Sequence, residues 1–286
     1  MMQKARTQRS AFLLMLPAGL LLIVFMAIPY LNIFYISFRT PGMGTPYGEG
    51  HTLMNYGRFF GGWFYPMQLA NTLWIGLVTT FLTLVIGLPV AFQLGRADLK
   101  WRGLAYGIVL SPLLVGIVIR SYGWTILLGN NGVINRTLID WGVIEFPLPL
   151  MYNSLGIIIA LTHVFLPFMI LPIMGAVQSI DPALTSAARS LGASRWVVVR
   201  RVLLPLAMPG IQAGCILVFV LSLSAYVTPA MIGGFRVKTM AVTVVDALLD
   251  TFQWPFGAAL ALMLSAIGAV IVVIFARMTR MKWKAN

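Results

Sequence analysis

Charge is scarce in this sequence. Asp, Glu, Lys and Arg make up 9% of its 286 residues, against roughly 25% in a soluble domain. Acidic residues are scarcer still, seven against twenty Lys and Arg. No polar stretch is long enough for a second, soluble domain, so one polytopic membrane domain is expected. The lone cysteine, Cys215, excludes an intrachain disulfide and a metal site built on paired cysteines. A Gly-x-x-x-x-Gly-Lys-Ser/Thr phosphate cradle is missing, so ATP is not bound in that way. Also missing are His-Glu-x-x-His, a Gly-x-Ser-x-Gly serine and deep paired carboxylates, which argues against an intramembrane enzyme. No repeat or low-complexity segment is visible.

What is present is hydrophobicity, 59% of the chain. Six apolar runs, 11–37, 72–94, 103–128, 152–177, 210–233 and 256–276, each approach the roughly 20 residues that cross a hydrocarbon core. The first follows Lys4, Arg6 and Arg9 as a signal peptide would, but it is too long and lacks an Ala-x-Ala site. It is expected to be a retained span. Short basic clusters between the runs set orientation rather than bind nucleic acid. With the N-terminus in the cytoplasm, fourteen of the twenty basic residues lie inside, at Lys4–Arg9, Arg96–Arg102, Arg189–Arg201 and Arg277–Lys284, and five of the seven acids lie outside. The expected fold is therefore all-α, integral to the membrane, with six transmembrane helices and both termini cytoplasmic.

The segment 178–208 between the fourth and fifth runs is the most informative. Asp181 then Pro182 is an N-cap followed by a proline at the first helical position. Gly192 suits a helix stop. Leu184, Ala187, Ala188 and Leu191 fall at helical spacing on one face. A second helix is expected from after Ser194 to before Pro205. An amphipathic pair lying on an anionic leaflet explains the second helix well. A short helix of small residues held by Pro and Gly is better suited to a protein groove.

Other residues carry alternatives. Arg120, near the outer end of the third run, is followed by Tyr122 and Trp124. It either snorkels to the interface or holds an outer gate. His163 lies in the fourth run, either satisfied by a neighbouring helix or functional. Tyr226, Thr228 and Pro229 interrupt the fifth run and are candidates to line a path. Asp246 and Asp250 lie four apart on the outer side, where a carboxylate pair suits a cationic solute. Solvated surface acids are the plainer reading. Short helices are expected near 134–141 and 242–249. The aromatic-rich outer segment 39–70 is either interfacial or a partner surface.

Ser186-Ala187-Ala188, three residues, Gly192, nine residues, Val202, one residue, Leu204-Pro205 resembles the cytoplasmic signature of ABC importer permeases. That signature is Glu-Ala-Ala, three residues, Gly, nine residues, Ile, one residue, Leu-Pro. Ser186 departs from the family's Glu. Further matching segments are 119–124, 132–135, 141–144, 166–172, 191–194, 205–210 and 254–258. The chain looks most similar to the spermidine/putrescine branch. The resemblance implies a type I importer permease with a core at 69–277, a coupling loop at 178–208, an N-terminal region 1–68 and a tail 278–286. It implies that Asp181, Ser186, Ala187, Ala188, Gly192 and Pro205 belong to a loop that docks a cytoplasmic ATPase. It implies two further partners, a second permease, as a heterodimer, and a periplasmic solute-binding protein. No cofactor is implied for this chain, because the partner hydrolyses the ATP. The competing class is a self-contained secondary transporter or channel. Its expected related halves and midplane carboxylates are absent here. The expected cargo is a small organic cation, and the expected location is the cell inner membrane.

Overall fold

The computed structural model describes residues 2–42, 44–96 and 99–284, with side chains at 16–17, 19–42, 44–96 and 103–278. The basic side chains at Lys4, Arg6, Arg9, Lys100, Arg102, Arg280, Lys282 and Lys284, with Asp98, lie outside the described ones. The chain is helical: α1 Met2–Ser37, α2 Met54–Phe60, α3 Phe64–Gly95, α4 Leu99–Leu114, α5 Ile117–Leu128, α6 Val133–Asp140, α7 Ser154–Gln178, α8 Pro182–Ser190, α9 Arg195–Val198, a π turn Val199–Leu203, α10 Leu204–Leu206, α11 Met208–Ser224, α12 Val227–Gly233, α13 Met240–Val245, a second π turn Asp246–Asp250 and α14 Trp254–Lys284. Among the described residues an isolated bridge, Arg39 with His51, is the β-pairing.

Four helices are long and apolar enough to cross a membrane unbroken, and two bent pairs bring the number to as many as six. These helices overlap the six apolar runs, of which the third and the fifth are interrupted. The third run was expected to be continuous. Instead Gly103–Leu114 and Ile117–Asp140 diverge by 91°. Gly116 has left the helical basin with ψ 141°, and the ladder restarts where Arg120 N donates to Gly116 O at 3.0 Å. An unbroken run of apolar side chains hides such a break, because hydropathy does not report backbone geometry. The fifth run stops at Ser224, and Ala225 is extended. α12 then begins after Tyr226, at the interruption read from the sequence.

Boundaries shift for local reasons. α3 starts at Phe64, eight residues before the apolar run, because Pro66 sits in the first turn, where no intrahelical donor is required. The fourth run is trimmed to Ser154. Tyr152 takes a positive φ of 61°, and Asn153 Oδ1 caps the helix by accepting from Gly156 N at 2.8 Å.

The chain divides into two compact units, Met1–Gly62 with Val244–Met263, and Trp63–Thr243 with Leu264–Asn286. In the first, the described part of α1 exposes apolar side chains over most of its surface, as a lipid-bathed span does. Its end is tied down locally. Ser37 Oγ and Tyr56 OH lie 2.8 Å apart, and Asn55 Nδ2 donates to the Ser37 and Arg39 carbonyls at 2.8 and 3.0 Å. Arg58 donates to Gln253 Oε1 and stacks over Phe256, 4.2 Å from its centroid.

In the second unit α3, α7 and α11 pack side by side around Ile75, Ile157, Leu161, Met169, Ile173 and Val218. Lipid tails are as apolar as leucine, so close backbone approach rather than water exclusion must join these helices. Glycine supplies it. A Cβ on Gly87 would meet Met169 Cγ at 3.2 Å. One on Gly210 would meet the Pro172 carbonyl at 2.5 Å.

Candidate functional site

The chain from Asp181 to Leu206 forms two helical pieces joined by a tight corner. Asp181 Oδ1 accepts from Ala183 N at 2.8 Å, and Pro182 follows at the first helical position. α8 then runs nine residues, about 14 Å. It ends in a Schellman motif. Gly192 has φ 82°, its N–H donates to Arg189 O at 2.9 Å, and Ala193 N donates to Ala188 O at 3.1 Å. Ser194 caps the next helix, accepting from Val197 N at 3.5 Å.

The inward and outward faces of α8 correct one expectation. Leu184, Ala187 and Leu191 are exposed, together with Ser186, but Ala188 is half-buried and packs on the core. Leu184, Ala187, Ala188 and Leu191 therefore do not form one free face. Thr185, the buried residue of α8, and Ala188, one turn on, carry the contact with the body of the unit. Thr185 Oγ1 donates to Pro182 O at 2.8 Å and accepts from Arg96 Nη1, at the end of α3, at 3.2 Å. Leu191 is 89% exposed. α8 is thus a short capped helix that exposes Leu184 and Ala187 among polar residues and carries a polar strap to the end of a span.

The second piece was expected to stop before Pro205. It continues to Leu206. The π turn moves the hydrogen bonds by one residue, so that Leu204 N donates to Val199 O. Pro205 then falls in the first positions of the next turn, where a missing N–H costs little.

The candidate path residues fall into separate groups. Within the second unit, Trp124 Nε1 donates to His163 Nδ1 at 3.3 Å, with the rings in an edge-on arrangement 5.5 Å apart. His163 is exposed on α7, so it is not a core histidine. Arg120 is half-buried. Its Nη2 donates at 2.7 Å to Val115 O, a carbonyl at the break, while its enclosed Nε makes no hydrogen bond among the described residues. Tyr122 points into the open. Thr228 is buried, and its hydroxyl lies 2.8 Å from that of Ser121, linking α5 to α12. Tyr226 is exposed at the break between α11 and α12. Asp246 and Asp250 lie at the two ends of the second π turn, in the other unit. Asp250 is exposed and Asp246 half-buried.

Sequence reasoning missed Ser121, Arg96 and the role of Asn135. Asn135 is fully buried on α6. It donates to Gly129 O and Leu148 O at 3.1 Å each and accepts from Leu148 N at 2.8 Å. Beside that junction lies an open cavity of about 920 Å³, bordered by Thr125, Asn130, Met151, Tyr152 and Arg236.

Residues 18–282 match the family described as the binding-protein-dependent transport system inner membrane component. The chain belongs to that family. The spermidine/putrescine transport system permease protein PotB of Haemophilus influenzae is 34% identical over 260 residues, spanning 91% of each chain. PotB of Escherichia coli K12 is 32% identical, spanning 91% of this chain and 94% of its own. A bacterial alginate ABC transporter, solved in complex with an alginate pentasaccharide-bound periplasmic protein, contains a chain of the same fold. That chain has a TM-score of 0.75 and 17% identity, over 99% of this chain and 98% of its own. The fold is that of a type I ABC importer permease. This member of the binding-protein-dependent family is a membrane-embedded, multi-pass transport subunit and not an enzyme.

Proposed function

We propose that the chain forms half of an import path for polyamines, opened and closed by an ATPase docked on α8. The observation that carries this reading is α8 itself. A capped helix with Leu184, Ala187 and Leu191 exposed is strapped through Thr185 to the end of α3. Small and apolar residues on a short capped helix fit a protein groove, and the strap gives any motion of that helix a route into a span. Asp181, Ser186 and Gly192 shape the docking element. Pro205 belongs to the hinge that leads to α11.

The core is assigned to 69–277, between an N-terminal region 1–68 and a tail 278–286. Both termini face the cytoplasm, and the membrane is the inner one. Two partners complete the machine, a second permease, as a heterodimer, and a periplasmic binding protein that delivers the solute. Arg120, Tyr122, Trp124, His163, Tyr226 and Thr228 line or gate the outer part of the path. Asp246 and Asp250 attract a cationic cargo. The polyamine assignment leans on the PotB relatives, whose names give spermidine and putrescine.

Uptake in cells lacking this permease tests the cargo. Putrescine or spermidine import should disappear and return with the gene. Intact polyamine uptake with loss of an anion or a sugar would contradict the assignment. Reporter fusions within 96–102 should read cytoplasm and those near Asn130 periplasm.

A further inference from the structure

Arg195–Leu206 and α11 (Met208–Ser224) meet at 66°. That is the geometry of a helix lying along a surface and then turning into the bilayer. The first of these segments keeps a constant inward face despite an irregular backbone. Val198 and Leu203 are five residues apart and both buried, 3% and 5% exposed. In a regular α-helix five residues turn the direction by about 140° from alignment. The π turn between them, closed by Leu204 N to Val199 O, removes most of that offset. Arg195 and Trp196 on α9 and Arg200 and Arg201 in the π turn are all exposed.

Among the described residues of the second unit nothing neutralises these charges. Among the described residues the three guanidiniums make no ion pair or hydrogen bond, and Trp196 is 70% exposed. Along the chain the exposed face turns from cationic to apolar. Leu206 and then Leu217 and Val220 of α11 are exposed. A cationic, Trp-bearing stretch that grades into a lipid-facing span follows the order of the headgroup layer and the hydrocarbon behind it.

We propose that the exposed face of the Arg195–Leu206 segment seats anionic phospholipid headgroups of the adjacent leaflet, with Arg195, Arg200 and Arg201 as the phosphate-binding cations. The two helices of the loop then divide the work, α8 toward the ATPase and the Arg195–Leu206 segment toward lipid. The ATPase half of that division rests on the docking role proposed above. The lipid half does not, and it is independent of orientation when both leaflets have one composition.

The test uses the assembled permease–ATPase complex in nanodiscs of phosphatidylcholine with about one third phosphatidylglycerol. The signal of Trp196 is isolated as the difference from a Trp196→Phe complex. Bromine is then placed on either the glycerol or the choline lipid. A cation near an anionic surface enriches such lipid about fivefold, so brominated phosphatidylglycerol should quench Trp196 more strongly. The triple variant Arg195→Gln, Arg200→Gln, Arg201→Gln should lose that preference and keep its ATPase. The triple Lys variant should retain it, because a headgroup phosphate accepts either cation. Equal quenching by the two lipids in the unaltered complex would overturn the proposal. So would a Gln variant that keeps the lipid preference but releases the ATPase, since the face would then belong to the protein partner.

Discussion

Arg96 Nη1 lies 3.2 Å from Thr185 Oγ1, so the residue that caps the end of α3 holds α8 by a charge-assisted hydrogen bond. The two residues are 89 positions apart in sequence. Thr185 is buried and also donates to Pro182 O, so its one hydroxyl proton is committed and it meets Arg96 as an acceptor. Bonds to charged groups are worth about 1.5–3 kcal/mol when buried. Arg96 is exposed, which lowers its share to the range of surface pairs. Arg96→Ala should therefore leave the protein folded and the ATPase bound while import falls several-fold. Uptake measured beside ATPase co-purification separates the two effects. Equal loss of both would mean that the strap serves docking rather than coupling.

Ser121 and Thr228 form a buried hydroxyl pair between the half-helices α5 and α12. Removing one partner leaves the other unsatisfied, at about 1–3 kcal/mol, whereas replacing both with apolar groups of similar shape is nearly neutral. Thr228→Val alone should lower thermal stability. Adding Ser121→Ala should recover much of the loss. A double variant less stable than either single would contradict the pairing.

The glycine contacts of α7 should rank by what a methyl meets. At Gly210 an added Cβ faces the Pro172 carbonyl at 2.5 Å and Ala176 Cβ at 2.6 Å, neither of which can move easily. At Gly214 its nearest neighbour is Met169 Sδ at 2.9 Å, part of a flexible side chain. Overpacking costs about 1–3 kcal/mol, and Gly210→Ala should sit at the upper end. The check is the recovery of monodisperse protein from membranes, lower for Gly210→Ala than for Gly214→Ala.

Asn135 satisfies three backbone groups with one side chain. Asn135→Leu should strand them and lower the melting temperature by several degrees, corresponding to about 2 kcal/mol or more. A melting temperature unchanged from the parent chain would mean that the 129–148 junction is held otherwise.

Much of this was legible in the residues themselves. Apolar runs announce spans because lipid demands them, and Asp181-Pro182 with Gly192 announce a helix because capping and positive φ restrict residue choice. What stayed hidden depends on geometry that composition does not carry. The break at Gly116 lies inside an unbroken apolar run. The π turn realigns Val198 with Leu203, which a 3.6-residue period places on different faces. Ala188 lies with Thr185 on the inward side of α8, and Thr185 is a residue with no helical-face signal of its own. Ser121 and Thr228 are 107 positions apart, and hydroxyl pairs leave no pattern along a chain.

The docking role of α8 is tested most directly by ATPase co-purification with Ala187→Asp and Leu191→Asp. Both side chains are exposed, so neither change disturbs the core, whereas Ala188→Asp would. Burying an unpaired carboxylate in a partner's groove costs several kcal/mol. Both variants should reach the membrane at normal levels, release the ATPase and stop import. Ser186→Glu should keep both activities. Normal ATPase recovery and normal import in both Asp variants would contradict the assignment of α8 as the docking helix.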